Sequence, residues 1–227
     1  MENMIFADRS EAGKKLAAAL ISRGCDKVPV VVLGIPRGGV VVAEEVAEKL
    51  HSPLDVIIAR KLRAPDQPEL AIGAVISGDH LTVLNEGLVR MTGATKIYLD
   101  REIAYQRAEI ERRMQFYRGE RPVTEVAGKT VIVVDDGIAT GYTFRAALEG
   151  LRRLNPQKLI AAAPVGARDS TEMLHSFADE VICLNTPANF YAVGAWYRDF
   201  SQTTDEEVVQ ILRRNWSRPA VKEATGA

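Results

Sequence analysis

Between residues 10 and 22, apolar side chains return at Leu16, Ala17, Leu20 and Ile21, a spacing of three and four that marks one face of a helix. The pattern then changes. Residues 28–35 read VPVVVLGI, an unbroken β-branched run of the kind found in strands buried on both faces. After Pro36-Arg37-Gly38-Gly39 the helical period resumes at Gly39, Ala43, Val46, Ala47 and Leu50. Residues 54–59 (LDVIIA) form a second apolar run, so strand, loop, helix and strand follow in an order that predicts a parallel pair. Residues 60–69 hold Pro65 and Pro68 among charges and read as a loop. The runs 70–76 and 81–84 flank Ser77-Gly78-Asp79-His80 as a hairpin. From 95 to 118 the chain is densely charged, yet Leu99, Ile103, Ile110, Met114 and Tyr117 keep near-helical spacing and predict one long amphipathic helix. Apolar strands follow at 129–134, 158–163 and 181–184. A helix between the first two carries Phe144, Ala147, Leu148, Leu151 and Leu154, and a short one is expected at 170–177. The closing helix at 205–214 has Thr203 or Thr204 as its cap, and the last ten residues are expected to fray.

Five core strands alternating with helices predict an α/β fold: a doubly wound, mainly parallel five-stranded sheet. In such sheets ligands sit beyond the carboxyl ends of the strands, so chemistry is sought in the βα loops. The length of 227 residues suits a single domain over 1–227, with helical and loop hood elements at 95–121 and 186–200. The charged helix within the first of these can serve as hood, dimer surface or solvated strut.

Charge and cysteines narrow the partners. Lysine and arginine number 29 against 30 acids, a formal net charge of −1, which provides no field to hold nucleic acid or an anionic membrane. Cys25 and Cys183 lie far apart with no C-x-x-C spacing, as expected of reduced thiols in a cytoplasmic protein. The first twelve residues have no apolar signal-peptide core, and no apolar run is long enough to span a bilayer. His51, His80 and His175 are isolated and read as surface or satisfied histidines rather than catalysts.

The chemistry is concentrated after the third buried strand, in Asp135-Asp136-Gly137-Ile138-Ala139-Thr140-Gly141-Tyr142-Thr143. Gly137 and Gly141 permit a tight turn and close backbone approach. The freed N–H groups and the following helix N-terminus then face an anion, and Thr140 and Thr143 add hydroxyl donors. Two carboxylates would repel a phosphate, so gripping sugar hydroxyls, directly or through Mg²⁺, is their natural task. The G-K-[ST] ending of a Walker loop is missing.

This run is similar to the ribose-5-phosphate signature of type I phosphoribosyltransferases. The resemblance implies that Asp135 and Asp136 hold the ribose 2- and 3-hydroxyls and bind Mg²⁺ indirectly, through ribose or water. It implies a 5-phosphate site at Gly137, Ile138, Ala139, Thr140, Gly141, Tyr142 and Thr143. Pro36, Arg37, Gly38 and Gly39 resemble the family's pyrophosphate loop, and Arg37 can fork onto a pyrophosphate. Arg60 and Lys61 take the place of the catalytic Arg-Lys pair that leads a mobile loop over the leaving group, with Arg63 in reach to assist. The runs FADRSEAGKKLAAAL, PRGGVVVAEEVA and APDQPELAIGAV fit one bacterial subgroup, so the resemblance covers nearly the whole chain.

The aromatic stretch 189–200 is similar to the base-binding segment of purine-salvage enzymes. Phe190 and Tyr191 take the base-stacking places, with Trp196 and Tyr197 offering further ring surface, while Asp199 stands one position out of register. The same aromatics could equally close the edge of the core. Ala139 occupies the position of the acid that 6-oxopurine enzymes use as a base, and a methyl group moves no proton.

The resemblance therefore implies transfer of ribose 5-phosphate from 5-phosphoribosyl-1-pyrophosphate to a small nitrogenous acceptor, for which a nucleobase in salvage is one candidate. It also implies Mg²⁺ as cofactor and a homodimer as the assembly. Two other readings stand beside it: a regulator that senses the donor without turnover, and a hydrolase or phosphorylase using the same ribose-phosphate site.

Overall fold

The computed structural model describes residues 5–77 and 81–218. Helix α1 (Arg9–Ser22) leads to β1 (Val30–Gly34), α2 (Gly38–Lys49) and β2 (Leu54–Val56). The chain then leaves for β3 (Ala59–Ala64), β4 (Gln67–Ile76) and β5 (Thr82–Leu84), followed by α3 (Glu86–Met91) and α4 (Lys96–Arg118). It returns through β6 (Thr130–Val134), α5 (Tyr142–Arg152), β7 (Lys158–Val165), α6 (Arg168–Leu174), β8 (Glu180–Asn185) and α7 (Asp205–Trp216).

The core sheet has the order β2-β1-β6-β7-β8 and every neighbouring pair is parallel, as the apolar runs predict. Its two faces are separately filled. Val32, Ile132 and Ile160 pack against Leu16 and Leu20 of α1, Val46 of α2 and Ile211 of α7. Their neighbours Val31, Val131 and Leu159 face the other way, against Phe144, Leu148 and Leu151 of α5 and Leu174 of α6. Both faces of β6 are thus dry, which is why TVIVV carries no polar alternation. The closing helix is capped by Thr204, whose side chain accepts from the Glu207 N–H while Glu207 reaches back to the Thr204 N–H.

The structure overturns the expected loop at 60–69. That segment forms β3, a turn and the start of β4, paired antiparallel in a second sheet of order β3-β4-β5. Leu62 and Ala64 are buried while Lys61 is exposed, an alternation of period two that the charges and prolines masked. Pro65 and Asp66 make the turn; Asp66 has φ 59°, a conformation aspartate tolerates. The second apolar run is correspondingly shorter than its sequence suggests, since β2 ends at Val56 and Ala59 already belongs to the second sheet. β4 pairs antiparallel with β5, but residues 78–80 of the expected turn, His80 among them, lie outside the described residues, as do 219–227.

Helix α4 runs unbroken over its expected length behind the Thr95 cap. Ile110 and Tyr117 face the core alongside Leu62 and Ile72 of the second sheet. Its last turn is pinned to β2, where Arg118 meets Asp55 at 2.7 Å with both side chains almost fully buried. Thr124 Oγ1 donates to the same carboxylate at 2.6 Å. Removing one partner of such a pair would strand a buried charge, so it fixes where the helix ends.

Candidate functional site

β6 delivers its carboxylates to the carboxyl edge of the sheet, and the loop behind them is strapped to its neighbours. The Ile138 N–H donates to Val165 O at 2.9 Å and the Ala167 N–H to Ile138 O at 2.8 Å. Ser170 Oγ donates to Ala139 O at 2.7 Å. Ile138 is buried beneath the loop, whereas Ala139, Thr140, Tyr142 and Thr143 are exposed above it. Gly141, at φ 74°, is the N-cap of α5, a left-handed position where a side chain would be strained. The first turn of α5 therefore opens toward solvent with its N–H groups outward.

The two acids are not equivalent. Asp135 Oδ1 accepts the Asp136 N–H at 2.8 Å. Burial, and then the neighbouring Asp136 carboxylate, pushes the Asp135 carboxyl well above the usual range. Asp136 meets Arg9, whose Nε donates to Oδ2 at 2.7 Å. Arg9 also donates from Nη1 to Ser201 O at 2.8 Å and lies 3.9 Å over the Phe200 ring.

Parallel pairing of Gly34 with Val134 brings the Pro36-Arg37-Gly38-Gly39 loop against these acids, with the Pro36–Arg37 peptide cis. A Cβ at Gly38 would stand 1.9 Å from Asp136 Oδ2, so the close approach of the two loops requires glycine there. The expected pyrophosphate and ribose residues are thus neighbours.

Arg60 and Lys61 lie on β3 and line an open cleft of about 1100 Å³ together with Thr140, Thr143 and Arg145. The structure brings this cation-bearing strand to the anion loop from the side of the second sheet. Arg60 is engaged there: its Nε donates to Gln106 Oε1 at 2.5 Å, and burial, then the charge of Arg113, lowers its pKa.

On the other side, Val193 packs directly on Gly137 at the head of a short 3₁₀ helix (Val193–Trp196). Tyr191 is 90% exposed and Phe190 half-buried against the aromatic cluster. Of the two readings open for Trp196 and Tyr197, ring surface or closure of the core, the structure takes the second: both are buried with Phe6 beneath the site. Phe6 explains this: it pairs with Tyr197 across an isolated bridge, ring centroids 5.5 Å apart. The Tyr197 hydroxyl donates to Asp136 O at 2.6 Å, and burial pushes that phenol up. Asp199 accepts the Ser201 N–H, a local turn contact.

Arg9 is thus a site-adjacent group that the sequence alone did not assign, and Tyr197 touches the site through its hydroxyl rather than its ring face. Arg9 lies 127 positions from the acid it holds, and only the FADR run hinted at it.

Comparison with known proteins bears on the family of the chain. A family model described as a phosphoribosyl transferase domain matches residues 5–199. A Mycobacterium tuberculosis protein provisionally named a phosphoribosyl transferase is 46% identical over 210 residues, which is 92% of this chain and 47% of that protein. The chain therefore spans about half the length of the curated relatives it matches. The crystal structure of TT1426 from Thermus thermophilus superposes with a TM-score of 0.85 at 45% identity, covering 93% of this chain and 99% of that one. The ribose-phosphate pyrophosphokinase of Pyrococcus furiosus shares 42% identity over 64 residues, 27% of this chain and 23% of that protein.

Proposed function

Because the chain belongs to the phosphoribosyl transferase domain family, we propose that it transfers ribose 5-phosphate from 5-phosphoribosyl-1-pyrophosphate to a nitrogenous acceptor and releases pyrophosphate. The observation that carries this reading is the junction of Asp135 and Asp136 with two backbone loops, the N–H-rich turn opening α5 and the loop after β1. Acids suit ribose hydroxyls, and the outward N–H groups with Thr140 and Thr143 suit a phosphate.

In this reading Asp135 and Asp136 hold the ribose, residues 137–143 the 5-phosphate, and residues 36–39 the pyrophosphate. The acceptor nitrogen attacks C1 and the C1–O bond to pyrophosphate breaks, its electron pair leaving with the pyrophosphate. The charge that develops on the leaving oxygen is met by Arg37 and by Lys61 from across the cleft. Arg60 must exchange its contact with Gln106 to join them.

The donor set fits Mg²⁺. Among the described residues no three His, Cys, Asp or Glu side chains gather into an all-protein cage. Two adjacent carboxylates beside a phosphate site are what a cation that takes most of its ligands from substrate requires. When bound, Mg²⁺ would neutralise charge on the pyrophosphate; Asp135 and Asp136 would hold it through ribose or water.

Ala139 offers no proton acceptor near the acceptor site, which favours an acceptor that needs none there. The exposed ring of Tyr191, with Phe190 beside it, favours a planar one. The test is a screen of nucleobases and other amines for pyrophosphate release from the donor with Mg²⁺. Release with at least one acceptor is expected. Tight donor binding with no release for any acceptor would overturn transfer in favour of donor sensing.

A further inference from the structure

We infer that Arg9 is a positioning residue that sets the direction of the Asp136 carboxylate and ties it to the segment 197–201, a role that rests on the donor reading above. A guanidinium is planar and rigid, so two donors spent on partners of different origin fix those partners relative to each other. Here Nε holds Asp136 Oδ2 at 2.7 Å and Nη1 holds Ser201 O at 2.8 Å. The face of the group lies on Phe200, 3.9 Å from the centroid, and that ring stacks on Tyr197 at 5.1 Å. Tyr197 returns to the same aspartate, its hydroxyl donating to Asp136 O at 2.6 Å. The contacts close a ring: acid, arginine, two aromatics, acid.

The origin of the arginine is itself held. The Arg198 and Asp199 N–H groups donate to Phe6 O and Ala7 O at 2.8 and 2.9 Å, so the segment entering α1 is paired with the segment leaving the 3₁₀ helix. Asp8 caps α1 by accepting the Glu11 N–H at 2.7 Å, which places Arg9 at the first helical position. Gly38 completes the enclosure, because a Cβ there would lie 1.9 Å from Asp136 Oδ2 and 2.7 Å from Arg9 Nε, and would part the pair. Both side chains are mostly buried, at 11% and 16% exposure, so water competes little with the contact. Two successive carboxylates need a nearby cation, and Arg9 is the protein's own. Ribose capture and the packing of residues 197–201 therefore share one side chain. The segment that carries Phe190 and Tyr191 leads into it.

A double-mutant cycle tests this by titration calorimetry of 5-phosphoribosyl-1-pyrophosphate and, separately, of pyrophosphate, each with Mg²⁺. Arg9→Met is expected to weaken the ribosyl ligand at least about tenfold and pyrophosphate, which has no ribose, less than about twofold. Arg9→Lys, which keeps the charge but not the fork, should give an intermediate loss for the ribosyl ligand alone. In an Asp136→Asn background Arg9→Met should add less than about twofold. Additive losses, or equal losses for the two ligands, would overturn the role, as would unchanged affinity. If Arg9→Met does not fold, Arg9→Lys carries the same comparison. Wild type that binds neither ligand would sink the donor reading itself. Hydrogen exchange without ligand then decides the tie: amides 198 and 199 should exchange faster in the variant, and wild-type rates there would contradict it.

Discussion

β6 and β3 both bring charged groups to the candidate site, and they hold them in opposite ways. β6 is five buried residues, four of them apolar, and it leads to Asp135 and Asp136 at the edge of a sheet covered on both faces. β3 alternates, with Leu62 and Ala64 inward and Lys61 outward, and it sits in a three-stranded antiparallel sheet whose pairing with β4 is irregular around Arg63. The acids cannot move without disturbing the core, whereas the cations ride on a smaller sheet that packs against α4 and α5 and lines an open cleft. If the site grips a sugar and then lets a diphosphate go, as proposed above, that division would serve it: a fixed floor and a cover able to adjust.

The largest effect should come from the floor. Ile132→Ala is expected to lower the stability of the whole chain by about 2–5 kcal/mol in denaturant titrations, the usual result of a cavity in a packed core. Leu62→Ala, though equally buried, should instead act locally and speed hydrogen exchange in β3 and β4 more than in β6. A reversed order, with Leu62→Ala the more damaging to global unfolding, would erase the distinction between the sheets.

Function should divide the same way. Lys61→Ala is expected to lower kcat at least about tenfold while changing donor affinity much less, because a cover contributes mainly as charge leaves. Steady-state kinetics beside calorimetry checks this, and equal losses in both would make Lys61 part of the floor. On the acceptor side, adenine should be preferred over hypoxanthine and guanine, since Ala139 has no proton acceptor to offer. Tyr191→Ala should raise the acceptor KM several-fold, corresponding to about 1 kcal/mol of ring stacking, with donor binding nearly intact. Efficient turnover of hypoxanthine, or a variant that behaves as wild type with every base, would move the acceptor site elsewhere.

The smallest effect lies behind the cover. Glu109 on α4 is held at about 2 by the hydrogen bonds of Arg112 and Arg113. A carboxylate whose folded value is depressed contributes stability that is present above its unfolded value and lost as pH falls through the folded one. Glu109→Gln should therefore cost about 0.5 kcal/mol at neutral pH, as helix-surface pairs do, and progressively less as pH falls from 4.5 to about 2. Thermal melts at the two pH values would show it, and a loss that persists in acid would assign the cost to something other than charge.

The same contrast governs what could be read from sequence. VVVLG and TVIVV are buried on both faces, so their composition alone marks them as strands, and the loops behind them follow. In ARKLRA only two of the six positions are buried, and three cations among the six residues hid the alternation behind the look of a solvated loop. For Trp196 and Tyr197 the choice between ring surface and core stayed open because their partner, Phe6, lies at the far end of the chain. Arg9 was opaque for the same reason: nothing in its local spacing names an acid 127 positions away. Local chemistry fixed by one strand and its loop is legible, whereas contacts assembled from both chain ends are not.

In the proposed function Asp135 and Asp136, set behind a buried strand, grip the ribose of a phosphoribosyl donor together with Mg²⁺. Titration calorimetry of 5-phosphoribosyl-1-pyrophosphate against wild type and the Asp135→Asn, Asp136→Asn double variant, with and without Mg²⁺, addresses it directly. Wild type is expected to bind only with Mg²⁺, and the double variant to lose at least about tenfold, or 1.4 kcal/mol. Equal affinity in the two proteins would contradict it.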